Sequence, residues 1–558
     1  MTIKSLVFFL FSSIGALAQE RAVVLTYAQM GEDGPRENTT KVIVYKGVAK
    51  VGETRNDLSA FIDYNRKERV EILYENGIPY KTVTPFDSLP QALKEESTPD
   101  KILGYTAKKS TYTSFSNTIE VWVTTEANFS GTMYPRVAPM ENALVLKLRF
   151  NGGTTYVLQS IEKQKGKVSA FDYEYDKSST ITDDIMEEKK IESRYITVKV
   201  FDNQMVNFDP KIEIDTSNYL LADKTYQFSK GSVVLKKIKL DQELLKDSRV
   251  FATLHCRSDG DAYDRTGSVF VIPANGNKTT MLDAFQHGLD VLPVMKDEAG
   301  RNYQGVRATD DYDPPIEIMR FFTSFGAGHF NDKRVIHNYP WVNDVRYKED
   351  VTEVFPEADS LWVGVFIGNY VKNGHMVSLD LNFYPSFQDE EDSTRKFVQP
   401  LFLTVNTMEM SGQNYGRFFK TDSLTVSFNV PENTQNMSLY FTTTGHGGWG
   451  GGDEFNPKLN QVFVDGNQVF EVVPWRTDCG TYRFSNPASG NFGNGMSSSD
   501  LSRSNWCPGT LTPPYIIPLD GLAPGEHIMT VSIDQGEDTA NGFSHWGVSG
   551  VLVGEMVE

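Results

Sequence analysis

Tyr195-Ile-Thr-Val-Lys-Val-Phe201 sets apolar Ile196, Val198 and Val200 at alternate positions, with polar Thr197 and Lys199 between them. A period of two puts successive side chains on opposite faces of an extended strand, whereas a helix needs apolar residues three and four apart. Alternating or β-rich runs extend outward from this stretch. Toward the amino terminus they include Leu144-Val-Leu-Lys-Leu-Arg-Phe150, Ile119-Glu-Val-Trp-Val-Thr124, Lys41-Val-Ile-Val-Tyr45 and Arg21-Ala-Val-Val-Leu-Thr-Tyr27. Toward the carboxyl terminus they include Val233 to Leu240, Val269 to Ile272, Ile316 to Phe322, Leu361 to Ile367, Val377 to Phe383, Leu424 to Phe428 and Ile528 to Ile533. Gly, Asn and Asp punctuate the runs, which is the pattern of all-β sandwiches and barrels. Only Asp183 to Arg194 reads otherwise, as a solvated helix or a charged linker.

The chain has 558 residues, enough for three to four domains at roughly 150 residues each. Aromatic residues make up 12% of it, which excludes an intrinsically disordered chain. Residues 1–18 hold Lys4, the apolar run Leu6 to Phe11 and the small-residue pattern Ala16-Leu17-Ala18, the marks of a secretory signal. That run is shorter than the roughly 20 residues that span a bilayer, and no later stretch reaches that length. The expected organisation is a signal over 1–18, an accessory domain over 19–194 and two β-sandwich domains over 195–397 and 398–558. A secreted or periplasmic protein without membrane insertion is expected. The net charge of −19 repels a phosphate backbone, so nucleic acid is not an expected partner. Export permits disulfides. Cys479 and Cys507 share a Gly/Ser/Pro-rich region and can close a short loop, which leaves Cys256 as a small buried hydrophobe.

The chain contains no Gly-x-Ser-x-Gly elbow, no His-Glu-x-x-His and no phosphate loop. Its eight histidines form no pair at metal-ligand spacing, so no metal is expected. Carboxylates remain. Asp259-Gly-Asp261-Ala-Tyr-Asp264-Arg265 puts three acids on one loop ahead of a strand. This reads as a solvated turn, a calcium loop of non-EF-hand type, or a site in which Asp264 is a general base. Position 12 counted from Asp259 is Phe270, where an EF-hand needs Glu. Arg265 beside Asp264 is expected to keep it ionised. Asp453-Glu454 follows the glycine run Gly445-His-Gly-Gly-Trp-Gly-Gly-Gly452, and His446, Trp449, Trp475, Arg476, Arg503 and Trp506 lie in the same long loops. Aromatic faces with Arg, Asp and Asn suit carbohydrate.

Residues 195–558 resemble the bacterial peptide-N-glycosidase F family, amidases that remove whole N-linked glycans from asparagine. The likeness is densest over 443–509, in Thr-Thr-Gly-His-Gly-Gly-Trp-Gly, Asp-Glu-Phe and Arg-Ser-Asn-Trp-Cys-Pro-Gly. Residues 19–194 resemble the bowl-like domain of its longer members. The resemblance implies two adjacent jelly-roll domains with the site between them, Asp264 as the principal catalytic aspartate and Glu454 as the supporting glutamate. It implies substrate contacts at Arg265, Tyr263, His446, Trp449, Tyr370, Arg503 and Trp506, and a disulfide between Cys479 and Cys507. No cofactor is implied, the partner is an N-glycoprotein or N-glycopeptide, and a monomer is expected. A third family carboxylate aligns at Gly368 and Tyr370, so that acid is expected to be missing. A non-catalytic glycan-binding module and a glycoside hydrolase are the alternatives.

Overall fold

The computed structural model describes residues 21–557 apart from 56, 76, 138–141, 165–170, 172, 217–219, 246–247, 328–340, 386–394, 449–450, 490–496 and 539–541. The protein is nearly all β. It divides into two compact units on either side of the bond between Arg194 and Tyr195.

The amino-terminal unit is built on a twelve-stranded sheet. Ala22–Gly31 pairs with Gly34–Tyr45, that strand with Val48–Arg55, and the hairpins continue to Ile78–Pro85. At the turn Lys46-Gly47 both residues have positive φ, 49° and 76°, the conformation whose twist matches a tight hairpin. Neighbours in sequence face opposite ways, so Trp122 joins a core with Leu25, Tyr27 and Ile62 while Val121 joins another with Tyr112 and Ile119. The helix Asp183–Glu192 starts where the Thr182 hydroxyl accepts from the Ile185 N–H. It buries only Met186, and two ion pairs to the strand Glu68–Glu75 supplement that contact, Lys189 to Glu75 and Lys190 to Glu71, both at 2.6 Å.

The second unit contains two sandwiches. In the first, Ile196–Val206, His375–Pro385, Ser248–Ser258 and Val345–Asp350 form one sheet. Thr225–Phe228, Val233–Lys239, Ser360–Ile367, Thr266–Pro273 and Ile316–Phe322 form the other. Leu254, Leu379 and Leu381 from one sheet meet Val269, Val363 and Val365 from the other. In the second sandwich, Arg395–Leu403, His545–Met556, Thr434–His446 and Tyr515–Pro518 lie opposite Leu424–Val430, Gly525–Ile533, Asn460–Val464 and Asn467–Val472. These are the two jelly rolls. The sequence reading found a helix only near residue 190. Two more form, the single turn Gln242–Leu245 and the helix Met281–His287, which begins at a capping box between Thr280 and Asp283, a spacing legible in the sequence.

Ile316–Phe322 shows how the sandwiches join. It lies at the edge of its sheet yet every residue is buried, because the second sandwich covers it. Arg320 forms a two-pronged pair with Glu317, both contacts at 2.6 Å, and also donates to Thr444 Oγ1 and the Gly547 carbonyl of the second sandwich. Glu317 accepts in turn from Ser268 at 2.7 Å and Ser549 at 2.6 Å. Every oxygen of this buried carboxylate is matched, which is the condition under which a buried ion pair is tolerated.

Candidate active site

Asp264 stands at the end of the loop before Thr266–Pro273, and hydrogen bonds within that loop fix its position. Asp261 is buried, accepts from the Tyr263 N–H, and binds Arg265 through both carboxylate oxygens at 2.8 and 3.2 Å. Thr323, from the first sandwich, accepts from the Arg265 N–H and donates to the Tyr263 carbonyl. The three acids of the loop therefore diverge. Asp259 approaches Arg257, Asp261 holds Arg265, and Asp264 reaches Arg503 of the second sandwich.

Glu454 arrives from the opposite side. The glycine run folds back on itself here: a Cβ at Gly452 would collide with the backbone of Gly447, so this close approach excludes any other residue. Asp453 points inward, where its carboxylate accepts from the Trp546 indole at 2.8 Å and the Gly536 N–H at 3.1 Å. Glu454 is left facing Asp264. Arg503 lies between them with a 0% exposed side chain, and one nitrogen, Nη1, donates to Asp264 Oδ2 at 3.0 Å and to Glu454 Oε1 at 2.7 Å. Its other terminal nitrogen donates to the Ser498 carbonyl at 2.5 Å. The two carboxylates keep 16% and 17% of their side-chain surface open to solvent.

Burial pushes the carboxyls of both Asp264 and Glu454 above the usual range, and the Arg503 charge only partly opposes this. For Glu454 the Asp264 charge adds to the rise, which reaches about 7. A single guanidinium shared by two desolvated acids does not replace the water that both have lost. The Arg265 charge favours ionised Asp264, as expected, but it is the smallest of the causes and is outweighed by burial. Arg265 is committed to Asp261, and the cation on Asp264 is Arg503.

The other predicted contacts separate by exposure. Tyr263 is 60% exposed and Tyr370 49%, and the Arg265 guanidinium lies over both rings at 4.9 and 4.8 Å. Trp506, Arg503 and His446 are instead buried: Arg503 bonds both acids, Trp506 lies against Arg503, and His446 packs on Trp506 and His545. Trp506 stacks on Phe322 at 4.2 Å, carries the Arg503 guanidinium at 4.3 Å and donates from its indole to the Gly445 carbonyl. His446 bonds Thr444, and burial followed by the neighbouring His545 holds its imidazole well below its ordinary range. Trp449 lies outside the described residues. Cys479 and Cys507 form a disulfide with Cα atoms 5.1 Å apart, which anchors the segment carrying Arg503 and Trp506, and Cys256 is free and buried. Reading the sequence placed Arg503 in the sugar subsite. Its clamp between two acids depends on a backbone bridge to Arg476 that no spacing announces.

Two jelly rolls presenting a pair of carboxylates across a buried arginine define an all-β protein with its candidate site at the junction of the sandwiches. Three family models match the chain: peptide-N-glycosidase F, N terminal, over residues 197–383; peptide-N-glycosidase F, C terminal, over 414–553; and the N-glycanase peptide N-terminal domain over 86–187. Among solved structures, PNGF-II is 37% identical, with a TM-score of 0.80 over 96% of this chain and 99% of that one. A peptide-N4-(N-acetyl-β-D-glucosaminyl)asparagine amidase is 16% identical, with a TM-score of 0.42 over 65% of this chain and 96% of that one. PNGase F of Flavobacterium meningosepticum, a glycosylasparaginase, is 13% identical with a TM-score of 0.41 over the same shares. No curated protein sequence matches the chain significantly. The chain belongs to the peptide-N-glycosidase F family and carries the extra amino-terminal domain of its PNGF-II type.

Proposed function

We propose that the protein is a peptide-N-glycosidase, an amidohydrolase that releases intact N-linked glycans from asparagine. The observation that carries this reading is the pair Asp264 and Glu454, held by Arg503 at the junction of the two family domains. Water adds to the side-chain carbonyl carbon of the glycosylated asparagine, the bond to the glycan nitrogen breaks, and that nitrogen leaves protonated as a glycosylamine. Aspartate remains in the peptide. Amide resonance makes this step slow in water, so the site must activate water and stabilise the departing nitrogen.

Asp264 is the group proposed to orient and deprotonate the water, and its burial-raised proton affinity strengthens it as a base once it is ionised. Glu454 orders water and sugar hydroxyls from the other side. Arg503 is a positioning residue, fixing the separation of the two acids from below. Tyr263 and Tyr370, exposed on either side of the Arg265 guanidinium, offer aromatic surface for sugar and peptide. The apolar segment at residues 1–18 makes export the proposed destination. No helix among the described residues is long and apolar enough to cross a membrane.

Digestion of an N-glycopeptide followed by mass analysis tests the reading. A sugar-free peptide with Asp in place of Asn is expected. A sugar stub on Asn would instead make the protein a glycoside hydrolase, and an unchanged glycopeptide would make it a binding module.

A further inference from the structure

Val345–Asp350 is the last strand of its sheet and pairs on one side only, with Ser248–Ser258. Just past its end the Val351 N–H donates to the Val250 carbonyl at 2.9 Å, and the register between the two strands runs without a bulge. Bonded and non-bonded pairs alternate in an antiparallel ladder, so the main-chain groups of Glu349 and Tyr347 face Ser248–Ser258 while those of Lys348 and Arg346 face outward. Among the described residues nothing bonds these outward groups. The facing sheet ends differently. Its last strand, Ile316–Phe322, is capped by Thr510 to Thr512 of the second sandwich: the Phe322 N–H donates to the Thr510 carbonyl at 3.0 Å and the Thr512 N–H to the Arg320 carbonyl at 2.9 Å. Between the free edge and this cap lies an open groove of about 560 Å³.

The groove is basic on a chain whose net charge is −19. Arg346 and Arg476 line it, and no carboxylate among the described residues does. Arg476 is fully engaged, by Asp478 at 2.9 and 2.7 Å and by the Thr510 hydroxyl and Leu511 carbonyl at 3.0 Å. Arg346 is exposed and has no ion-pair partner among the described residues. Shared backbone joins the groove to the site. Gly509, at its rim, donates to the carbonyls of Phe322 and Thr323 at 3.1 and 3.2 Å, and Thr323 holds the loop of Asp264 through Arg265 and Tyr263. Arg476 is bridged backbone to backbone with Arg503.

We propose that this groove takes an extended segment of polypeptide as an added strand against Val345–Asp350, and that Arg346 selects a segment carrying carboxylates. Unpaired main-chain groups on an edge strand supply the affinity of such an addition, and the side chains around it supply the selection. The segment is the polypeptide flanking the glycosylated asparagine, so the substrate is held by its peptide as well as by its glycan. That last identity rests on the peptide-N-glycosidase reading.

Fluorescence anisotropy with a labelled, glycan-free peptide of alternating Thr and Glu tests the proposal without requiring turnover. Wild type is expected to bind it saturably. Arg346→Glu, a change to an exposed side chain that should leave the melting temperature within a few degrees, is expected to bind about tenfold or more weakly, because attraction becomes repulsion. Two further peptides carry N-methyl groups on one or the other alternate set of amides. Only one edge of an added strand pairs, so one set should weaken binding about tenfold or more and the other should not. No saturable binding by wild type, equal affinity of wild type and Arg346→Glu, or equal affinity of the two methylated peptides would overturn the proposal. A glycopeptide of the same sequence should displace the labelled peptide, and failure to displace it would overturn the assignment of the groove to substrate. Failure of the amidase reading would show separately, as an intact glycopeptide alongside normal binding of the glycan-free peptide.

Discussion

Arg503 divides its guanidinium among Asp264, Glu454 and the Ser498 carbonyl, and sits on the Trp506 ring, so neither acid can move without it. Burial sets the electrostatics of the site, and the shared cation only partly opposes it. Glu454 holds its proton up to about pH 7 in the fold, well above an ordinary glutamate. Since the folded state binds this proton more tightly than the unfolded chain, stability is lost as pH rises from the ordinary carboxylate range through about 7. Glu454→Gln keeps an acceptor for Arg503 and removes that loss. Melting curves should therefore coincide near pH 4, with the variant melting higher at pH 8, while its glycopeptide turnover falls. Catalysis that needs an ionised pair should rise with pH across the same window. An Asp264 or Glu454 exposed to water would give no such rise.

At the scale of elements, the buried strand Ile316–Phe322 carries the joint between the sandwiches, and the polar network of Glu317 and Arg320 is its least replaceable part. Glu317→Ala leaves the Arg320 cation buried without its carboxylate, which should lower unfolding free energy by about 3–5 kcal/mol in a denaturant titration. An effect near zero would mean that water enters the joint. The strands themselves were legible wherever one face is solvated, as in the run from Tyr195 to Phe201. Ile316-Glu-Ile-Met-Arg-Phe-Phe322 was legible as a strand only from its residue types, because burial on both faces erases the alternation. Which strands pair was not legible at all. Ile196–Val206 finds its partner in His375–Pro385, a choice made by long-range packing.

Over the whole molecule, the two acids of the site come from segments far apart in the chain, and the sandwiches bring them within reach of one arginine. The sequence held signs of both acids, one in a loop ahead of a strand and one behind a run of glycines. It showed the charge of Arg265 beside Asp264 but not the cation that bonds it, since the loop turns Arg265 back onto Asp261 and Arg503 arrives from the second sandwich. The amino-terminal unit, with its twelve-stranded sheet, follows the same period-two logic and is matched by its own family model.

The central claim is that Asp264, across Arg503 from Glu454, drives hydrolysis of the glycan–asparagine amide. Wild type and Asp264→Asn should be incubated with an N-glycopeptide in heavy-oxygen water and the peptides weighed. The account predicts a sugar-free peptide whose new aspartate carries one heavy oxygen from wild type, and a loss of about a thousandfold or more in rate for the variant, the size expected when a general base is removed. Turnover by Asp264→Asn at the wild-type rate, or release of glycan without heavy oxygen in the peptide, would contradict it.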